Sequence, residues 1–428
     1  MSASPTAPIV DLDAITARLE GYNPDALPVA LAQEIMLQAV QPVQAIESVA
    51  IRGALDRILA ADVLSPIDVP AHDNSAMDGY ALRGADLAAD GSATLRLVGT
   101  VMAGQAEAPE VAAGQCVRIM TGAMMPAGLD TVVPQELVTV GADSVQIPPG
   151  QKTGQHRRHR GEDLRAGSAA LPAGKRLSPA DIGLAASLGL AELPVVRRIR
   201  VAFFSSGDEL RSIGEPLGKG QVYDSNRYTI HGMLQRLGAD VIDMGVIPDQ
   251  PEALEQAVRL ASTNADAIIS SGGVSVGEAD FTREIMHRLG DVRFWTIAMR
   301  PGRPMAFGRI GAAWYFGLPG NPVAVMVTFY FFARLALRAL AGATPQADPL
   351  VRAASTTEIR KRVGRTEYQR GCLQIDRDGR STVTLTGSQG SGVLRSMSQA
   401  NCMIVLHHDQ GTVAAGDPVD CLPFEGLI

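Results

Sequence analysis

The chain has 428 residues, 46% of them hydrophobic and 19% charged, with a formal net charge of −7. That length is too great for one ordinary core, so about two to four domains are expected. The composition excludes wholesale disorder and the acidic balance excludes a general nucleic-acid binder, while leaving room for a small anionic ligand held by a local positive field.

The opening stretch to about Gly21 is polar and contains proline, which suggests a loose leader with neither the basic nor the apolar region of a signal peptide. From Pro28, apolar Ala32, Ile35, Met36, Ala39 and Val40 fall at helical spacing until Pro42. A second short helix is expected near Ser48 to Leu59. From Asp62 to about Leu177, short alternating runs such as Cys116-Val-Arg-Ile-Met120 are punctuated by Gly and Pro, the mark of a β-rich region. Ser178-Pro179-Ala180-Asp181 then starts a helix, with Ser as N-cap and Pro at the first helical position. This helix matches the first helical piece in character, so the β-rich region reads as an insertion into a helical base.

From Ile199 the pattern turns to alternating strands and helices. Strands are expected at Ile199–Phe204, Val241–Met244 and Ala267–Ile269. Helices are expected at Asn226–Leu237, Pro251–Ala261 and Asp280–Leu289, with Gly238 and Gly290 as C-caps. This spacing implies a parallel sheet covered on both faces. Three more strands follow near Val292, Pro304 and Trp314, and then a long apolar helix from Pro322 to Leu340. Arg334 and Arg338 interrupt that helix, which reads as buried rather than membrane-spanning. Beyond the Thr344-Pro345 and Asp348-Pro349 breaks the alternation returns, indicating a small C-terminal β domain. Cys116, Cys372, Cys402 and Cys421 form no Cys-x-x-Cys pair, so neither zinc site nor disulfide framework is indicated. A soluble cytoplasmic protein is expected.

In an open parallel sheet, ligands sit beyond the carboxyl ends of the strands. Four polar turns fall there: Ser205–Glu209, the Asp249 region, Ser270–Gly277 and Leu318–Pro322. Glycine lets backbone N–H groups approach an anion, and helix N-termini add positive potential. Any one such turn also serves as a plain connector, and Asp249 and Asp280 also suit helix caps. Three carboxylates beside an anion would repel it unless a cation such as Mg²⁺ intervened. Arg300-Pro301-Gly302-Arg303 supplies positive charge on a tight turn suited to oxyanions. His156-Arg-Arg-His-Arg160 reads either as a solvated loop or as a second basic signal. The polar stretch Asp73–Tyr80, with its Asp78-Gly79 turn, fits a hairpin loop or a ligand-facing one.

These stretches together resemble the molybdopterin molybdenumtransferases, the MoeA and gephyrin E-domain group. The likeness rests on Asp73-Asn-Ser-Ala-Met-Asp-Gly-Tyr-Ala81, Met120-Thr-Gly-Ala123, Arg160-Gly-Glu-Asp163 and Ser206-Gly-Asp-Glu209. It continues through Ser270-Ser-Gly-Gly-Val-Ser-Val-Gly-Glu-Ala-Asp280, Gly317-Leu-Pro-Gly-Asn-Pro322 and Gln369-Arg-Gly371. The resemblance implies a multidomain α/β subunit: a parallel α/β molybdopterin-binding domain with a helical base, an inserted β-rich domain and a C-terminal β-barrel. The expected boundaries are 22–61 and 178–197 for the base, 62–177 for the insertion, 198–344 for the α/β domain and 350–428 for the barrel.

It further implies insertion of molybdate into adenylated molybdopterin with release of AMP and a requirement for Mg²⁺. An elongated homodimer is implied, with transient contacts to the adenylyltransferase and to molybdoenzyme chaperones. By the same resemblance, catalytic roles fall on Asp78, Thr121, Asp163, Glu209, Asp249 and Asp280, with Glu209, Asp249 and Asp280 the metal ligands. Substrate contacts fall on Ser271, Gly272, Gly273, Ser275 and Gly277, on Arg300 and Arg303, on Pro319, Gly320, Asn321 and Pro322, and on Arg370 and Ser391. Where the family often has Lys-Pro-Gly-Lys, this chain has arginines, and Thr296 stands where some members have another lysine, whose role is either vacant here or filled elsewhere, with Arg293 the candidate. The alternatives are a molybdopterin adenylyltransferase and a non-catalytic scaffold on the same dimeric fold.

Overall fold

The computed structural model describes residues 12–88, 91–105, 107–273 and 279–424, with the side chains of Ala279 and Asp280 outside the described set. The part that positions the site is the α/β domain, whose elements are labelled here in chain order. They are β1 (Arg200–Ser206), α1 (Ser225–Leu237), β2 (Asp240–Ile247), α2 (Pro251–Asn264), β3 (Ala267–Ser271) and α3 (Ala279–Leu289). Then come β4 (Gly290–Thr296), β5 (Pro304–Ile310), β6 (Ala313–Leu318) and the long helix α4 (Pro322–Leu340). The sheet order is β2-β1-β3-β6-β5-β4. Strands β2, β1, β3 and β6 are mutually parallel, and β5 runs antiparallel to both β6 and β4.

The continuous apolar run of β1 is explained by burial on both faces. Val201 and Phe203 join one core with Ile269, Phe316 and residues of α1 and α4, while Ala202 and Phe204 join a second with Ile268, Tyr315 and residues of α2 and α3. Each buried phenylalanine contributes about 1.5–3 kcal/mol relative to exposure. Helix α4 is long and apolar enough to cross a bilayer, yet 72% of its most apolar window is buried inside the protein. Its middle, Phe329–Ala333, winds as a π-helix.

The helix Val29–Ala39 packs into the core of the α/β domain, while the helix Pro179–Ser187 shares a separate core with the antiparallel pairing of Ile46–Ala50 and Glu192–Val196. Ser178 caps the second helix in a full capping box with Asp181, as its sequence signature indicated. The inserted domain centres on a six-stranded sheet formed between Gly79 and Ile147. In the C-terminal domain, strand Thr366–Ile375 pairs with both Ser381–Leu385 and Cys402–Leu406, and the ring closes through Val351–Ser355 and Pro418–Pro423. It is a five-stranded barrel, the closure that removes open edges.

Several local expectations are corrected. The helix expected near Ser48–Leu59 is instead a strand, Ile46–Ala50, followed by a single 3₁₀ turn at Ile51–Gly53; pairing with Glu192–Val196 overrides the apolar spacing. The leader is not wholly loose, because Leu12–Thr16 is helical and Leu12 packs into the main core. Gly290 is not a C-cap but the first residue of β4, where a Cβ would lie 2.1 Å from the Arg309 carbonyl oxygen. Gly79 likewise opens a strand rather than a tight turn, with the Val133 carbonyl 2.2 Å from where its Cβ would stand. Gln250, not Asp249, is the N-cap of α2.

Candidate functional site

The carboxyl ends of β1, β3 and β6 form a rim with two adjoining cavities. The first, about 370 Å³, is lined by Ser206, Gly207 and Glu209 after β1, by Asp224–Asn226 at the start of α1, by Ser271–Gly273 after β3, and by Gly320–Pro322 before α4. Gly272 and Gly273 have φ of +96° and +69°, a conformation that disfavours L side chains, and a Cβ on Gly272 would approach the Ser206 carbonyl oxygen to 2.6 Å. The glycines therefore let the β3 turn close against the β1 turn.

Asn226 ties the walls together. Its Nδ2 donates to Ser271 Oγ at 2.9 Å and to the Gly320 carbonyl at 2.6 Å. Asp224 caps α1 by accepting from the Arg227 N–H at 3.1 Å; its buried Oδ2, like Asn226 Oδ1, has no partner among the described residues. Neither residue was singled out from sequence, where Asp-Ser-Asn before a helix reads as capping. An unsatisfied buried carboxylate oxygen is costly, and two orphan oxygens beside one cavity are the available signal for a bound cation or donor.

The second cavity, about 300 Å³, is lined by Arg300–Pro304, Pro319–Asn321, Ala324, Gln389 and Ser391, and so shares Gly320 and Asn321 with the first. Met299 and Arg300 form a short strand that pairs in parallel with Thr366–Glu367, so the barrel anchors the basic turn. Gly302 has φ +93° and packs against Thr328, whose Cγ2 would be 2.6 Å from an added Cβ. Among the described residues, neither the Arg300 nor the Arg303 guanidinium has a carboxylate partner. Arg293 is not a substitute for the missing lysine at Thr296: it pairs with Asp13 at 2.8 Å and Asp291 at 2.9 Å.

Arg370 does not line either cavity. It is fully buried beneath the Ser388–Ser391 loop, donating to Ser396 Oγ and to the carbonyls of Ser388 and Gly390. Burial, with the nearby Arg300 charge, pushes its pKa down to about 10. The loop it braces presents Ser391, whose carbonyl accepts from the Val323 N–H in the first turn of α4 at 2.9 Å.

Three of the inferred residues lie apart from the rim, Asp78 and Thr121 in mutual contact and Asp163 on a separate segment held to Val69. Asp78 Oδ1 accepts from both the N–H and the hydroxyl of Thr121 at 2.7 Å. These bonds hold the Asp78 carboxyl below its ordinary range, the backbone one most strongly. Asn74–Ser75 pairs with Arg157–Arg158, and Asp73 accepts from the Arg157 side chain and the Arg160 N–H, bringing the Asp163 segment alongside. The His156–Arg160 run is thus partly structural, with Arg160 also bonded to Asp68 at 2.6 Å. No hydrogen bond or ion pair links these residues to the rim among the described residues.

Asp249 lies beyond β2, its N–H 3.3 Å from Asp208 Oδ1, and does not line the described cavities. Asp280 falls in the first turn of α3, and Ser275 and Gly277 lie outside the described residues. No group of three or more metal-binding side chains gathers among the described residues.

Comparison with known proteins places these features. Residues 27–189 match the MoeA N-terminal region (domain I and II), 202–339 a probable molybdopterin binding domain, and 352–424 the MoeA C-terminal region (domain IV). The chain is 43% identical to the molybdopterin molybdenumtransferase of Haemophilus influenzae, across 88% of this chain and 94% of that one. It is 38% identical to that of a Nostoc species, covering 87% of each. The crystal structure of a molybdopterin biosynthesis moeA protein from Pyrococcus horikoshii superposes with a TM-score of 0.80 at 25% identity, covering 93% of this chain and 99% of that one. With all three regions matched in order and relatives of this identity aligned along most of its length, the chain belongs to the molybdopterin molybdenumtransferase (MoeA) family.

Proposed function

We propose that this protein inserts molybdenum from molybdate into adenylated molybdopterin, releasing AMP. The observation that carries this reading is the pair of cavities joined at Gly320–Asn321, one floored by a glycine turn and the other bearing two guanidinium groups without carboxylate partners among the described residues. The glycine turn and the start of α1 would hold phosphate oxygens through backbone N–H groups. Arg300 and Arg303 would attract the molybdate dianion and hold it beside the dithiolene; their planar forks offer paired donors to adjacent oxyanion oxygens. Pro319 and Pro322 fix the turn between them, and Ser391 adds a hydroxyl on the facing wall.

Mg²⁺ fits the first cavity by the chemistry of its oxygens. Glu209 lines it, and the orphan oxygens of Asp224 and Asn226 are hard donors of the kind this ion accepts alongside substrate phosphate and water. By the family resemblance, Asp249 and Asp280 are the further inferred ligands. When bound, the ion would supply charge neutralisation at the phosphoanhydride. The chain's own residues do the rest: the glycine turn orients the anhydride, Arg300 and Arg303 concentrate molybdate, and the carboxylates orient water.

Asp78, Thr121 and Asp163 would enter the reaction from a second copy of the chain, as in a homodimer whose active site lies at the interface. Adenylation of molybdopterin is the less favoured activity, because the relatives aligned along most of the chain carry the molybdenumtransferase name. Incubation of the protein with adenylated molybdopterin, with and without molybdate and Mg²⁺, tests the proposal; AMP release that ignores molybdate would reject it.

A further inference from the structure

The opposite end of the sheet holds a larger cavity, about 590 Å³, which the proposed reaction does not use. It is enclosed by the connection into β1, the last turn of α1, the second half of α4 and the segment leading to the barrel. In a chain of net charge −7, its lining carries seven arginines against two carboxylates, Asp56 and Asp348.

Part of that charge is compensated. Arg57 pairs with Glu47 at 2.8 Å, Arg176 with Asp56 at 3.1 Å, and Arg197 makes a two-point contact with Asp266 at 2.9 and 3.0 Å. Three of the other four are less fully compensated. Arg198 donates to the Gly238 carbonyl, Arg334 pairs with Asp348, and Arg338 comes no closer to Asp348 than 3.9 Å. For these three guanidinium groups Asp348 is the sole carboxylate partner among the described residues.

Arg334 and Arg338 stand one helical turn apart on α4, a spacing at which like charges repel. Burial and the Arg334 charge push the Arg338 guanidinium below its ordinary pKa, and Arg334 itself is 6% exposed. Tyr330, 2% exposed, lines the same cavity, and its hydroxyl makes no hydrogen bond among the described residues. A partly buried surplus of guanidinium is an expensive arrangement unless an anion completes it. Met233, Leu237 and Phe329 supply an apolar wall beside the charges, and the volume falls in the range of small-molecule sites, roughly 300–1,000 Å³.

We propose that this cavity binds an organic oligophosphate of nucleotide size, with Arg198, Arg334 and Arg338 on the phosphates, the Tyr330 hydroxyl as an added donor and the apolar wall against the organic part. Calorimetric titration of the full chain in metal-free buffer with ATP, inorganic tripolyphosphate and adenosine tests it. Saturable ATP binding is expected, weakened at least about tenfold in Arg338→Gln and in Arg198→Gln, the loss of one charge-assisted contact. It should be unchanged in Arg303→Gln, which alters only the opposite rim. Tripolyphosphate should bind more weakly than ATP, and adenosine not measurably. Thermal melts add a second reading: without phosphate, Arg338→Gln should melt no lower than the parent, and it should lose the rise in Tm that ATP gives. Absent ATP binding, binding lost in Arg303→Gln but kept in Arg338→Gln, or tripolyphosphate binding as tightly as ATP would each overturn the proposal.

Discussion

Gly302→Ala tests whether the basic turn is rigid enough to aim Arg300 and Arg303. The new Cβ would lie 2.6 Å from Thr328 Cγ2 at a φ of +93°. A left-handed conformation costs an L residue about 1–2 kcal/mol, and overpacking a well-filled site adds about 1–3 kcal/mol. The single substitution should therefore destabilise by roughly 2–5 kcal/mol or shift the turn. Thr328→Ser removes the offending methyl while its hydroxyl still reaches the Ala324 carbonyl at 2.8 Å and the Val325 carbonyl at 3.1 Å. Alone it should cost about 1 kcal/mol for the lost buried methyl. Combined with Gly302→Ala it should recover the overpacking part, a favourable coupling of about 1–3 kcal/mol that leaves only backbone strain. Chemical denaturation of all four proteins gives the coupling, and molybdate binding shows whether the turn has moved. Additive effects, or a Gly302→Ala protein with parental stability and molybdate affinity, would refute the reasoning.

Other outcomes follow from the same geometry. Asp224→Asn keeps an oxygen for the Arg227 N–H, so it should leave the melting temperature nearly unchanged while weakening Mg²⁺ binding, read by titration calorimetry. Arg370→Met strips hydrogen bonds from Ser396 and the Ser388 and Gly390 carbonyls; a loss of about 2–4 kcal/mol and a higher KM for molybdate are expected, with KM unaffected if the Ser391 loop holds its place alone. Asp68, Asp73, Asp78 and Asp181 all have folded pKa values below the ordinary aspartate value. The unfolded chain thus binds more protons, so their contribution is fully present above about pH 4 and lost as pH falls through the lower folded values. Acid titration of stability should show this decline, and Thr121→Ala should move the Asp78 carbon resonance titration upward. Asp280→Asn should abolish AMP release with little change in folding.

Much of the α/β domain was legible because its strands are buried on both faces and its helices begin and end on strong signals. Gly238 does cap α1 in the left-handed conformation, with φ +80°. Ile46–Ala50 was not legible, since its partner Glu192–Val196 lies far along the chain and the short apolar run suits either helix or strand. Gly79 and Gly290 misled for a related reason: a glycine needed for close strand approach looks the same in sequence as one needed for a turn. In the site, the basic turn and glycine turns could be read from residue type. The roles of Asp224 and Asn226 could not, because helix capping accounts for them until the orphan oxygens are seen in three dimensions. Arg370 is similar: sequence marks it as important, whereas only packing shows that it braces a loop instead of facing a cavity.

The most direct measurement is AMP release from adenylated molybdopterin as a function of molybdate, comparing the parent protein with Arg303→Ala. Saturable, molybdate-dependent release is expected from the parent, with the substitution raising the molybdate requirement at least about tenfold through loss of a charge-assisted contact. Release independent of molybdate, or an unchanged requirement in Arg303→Ala, would contradict the assignment of the paired-arginine cavity as the molybdate site.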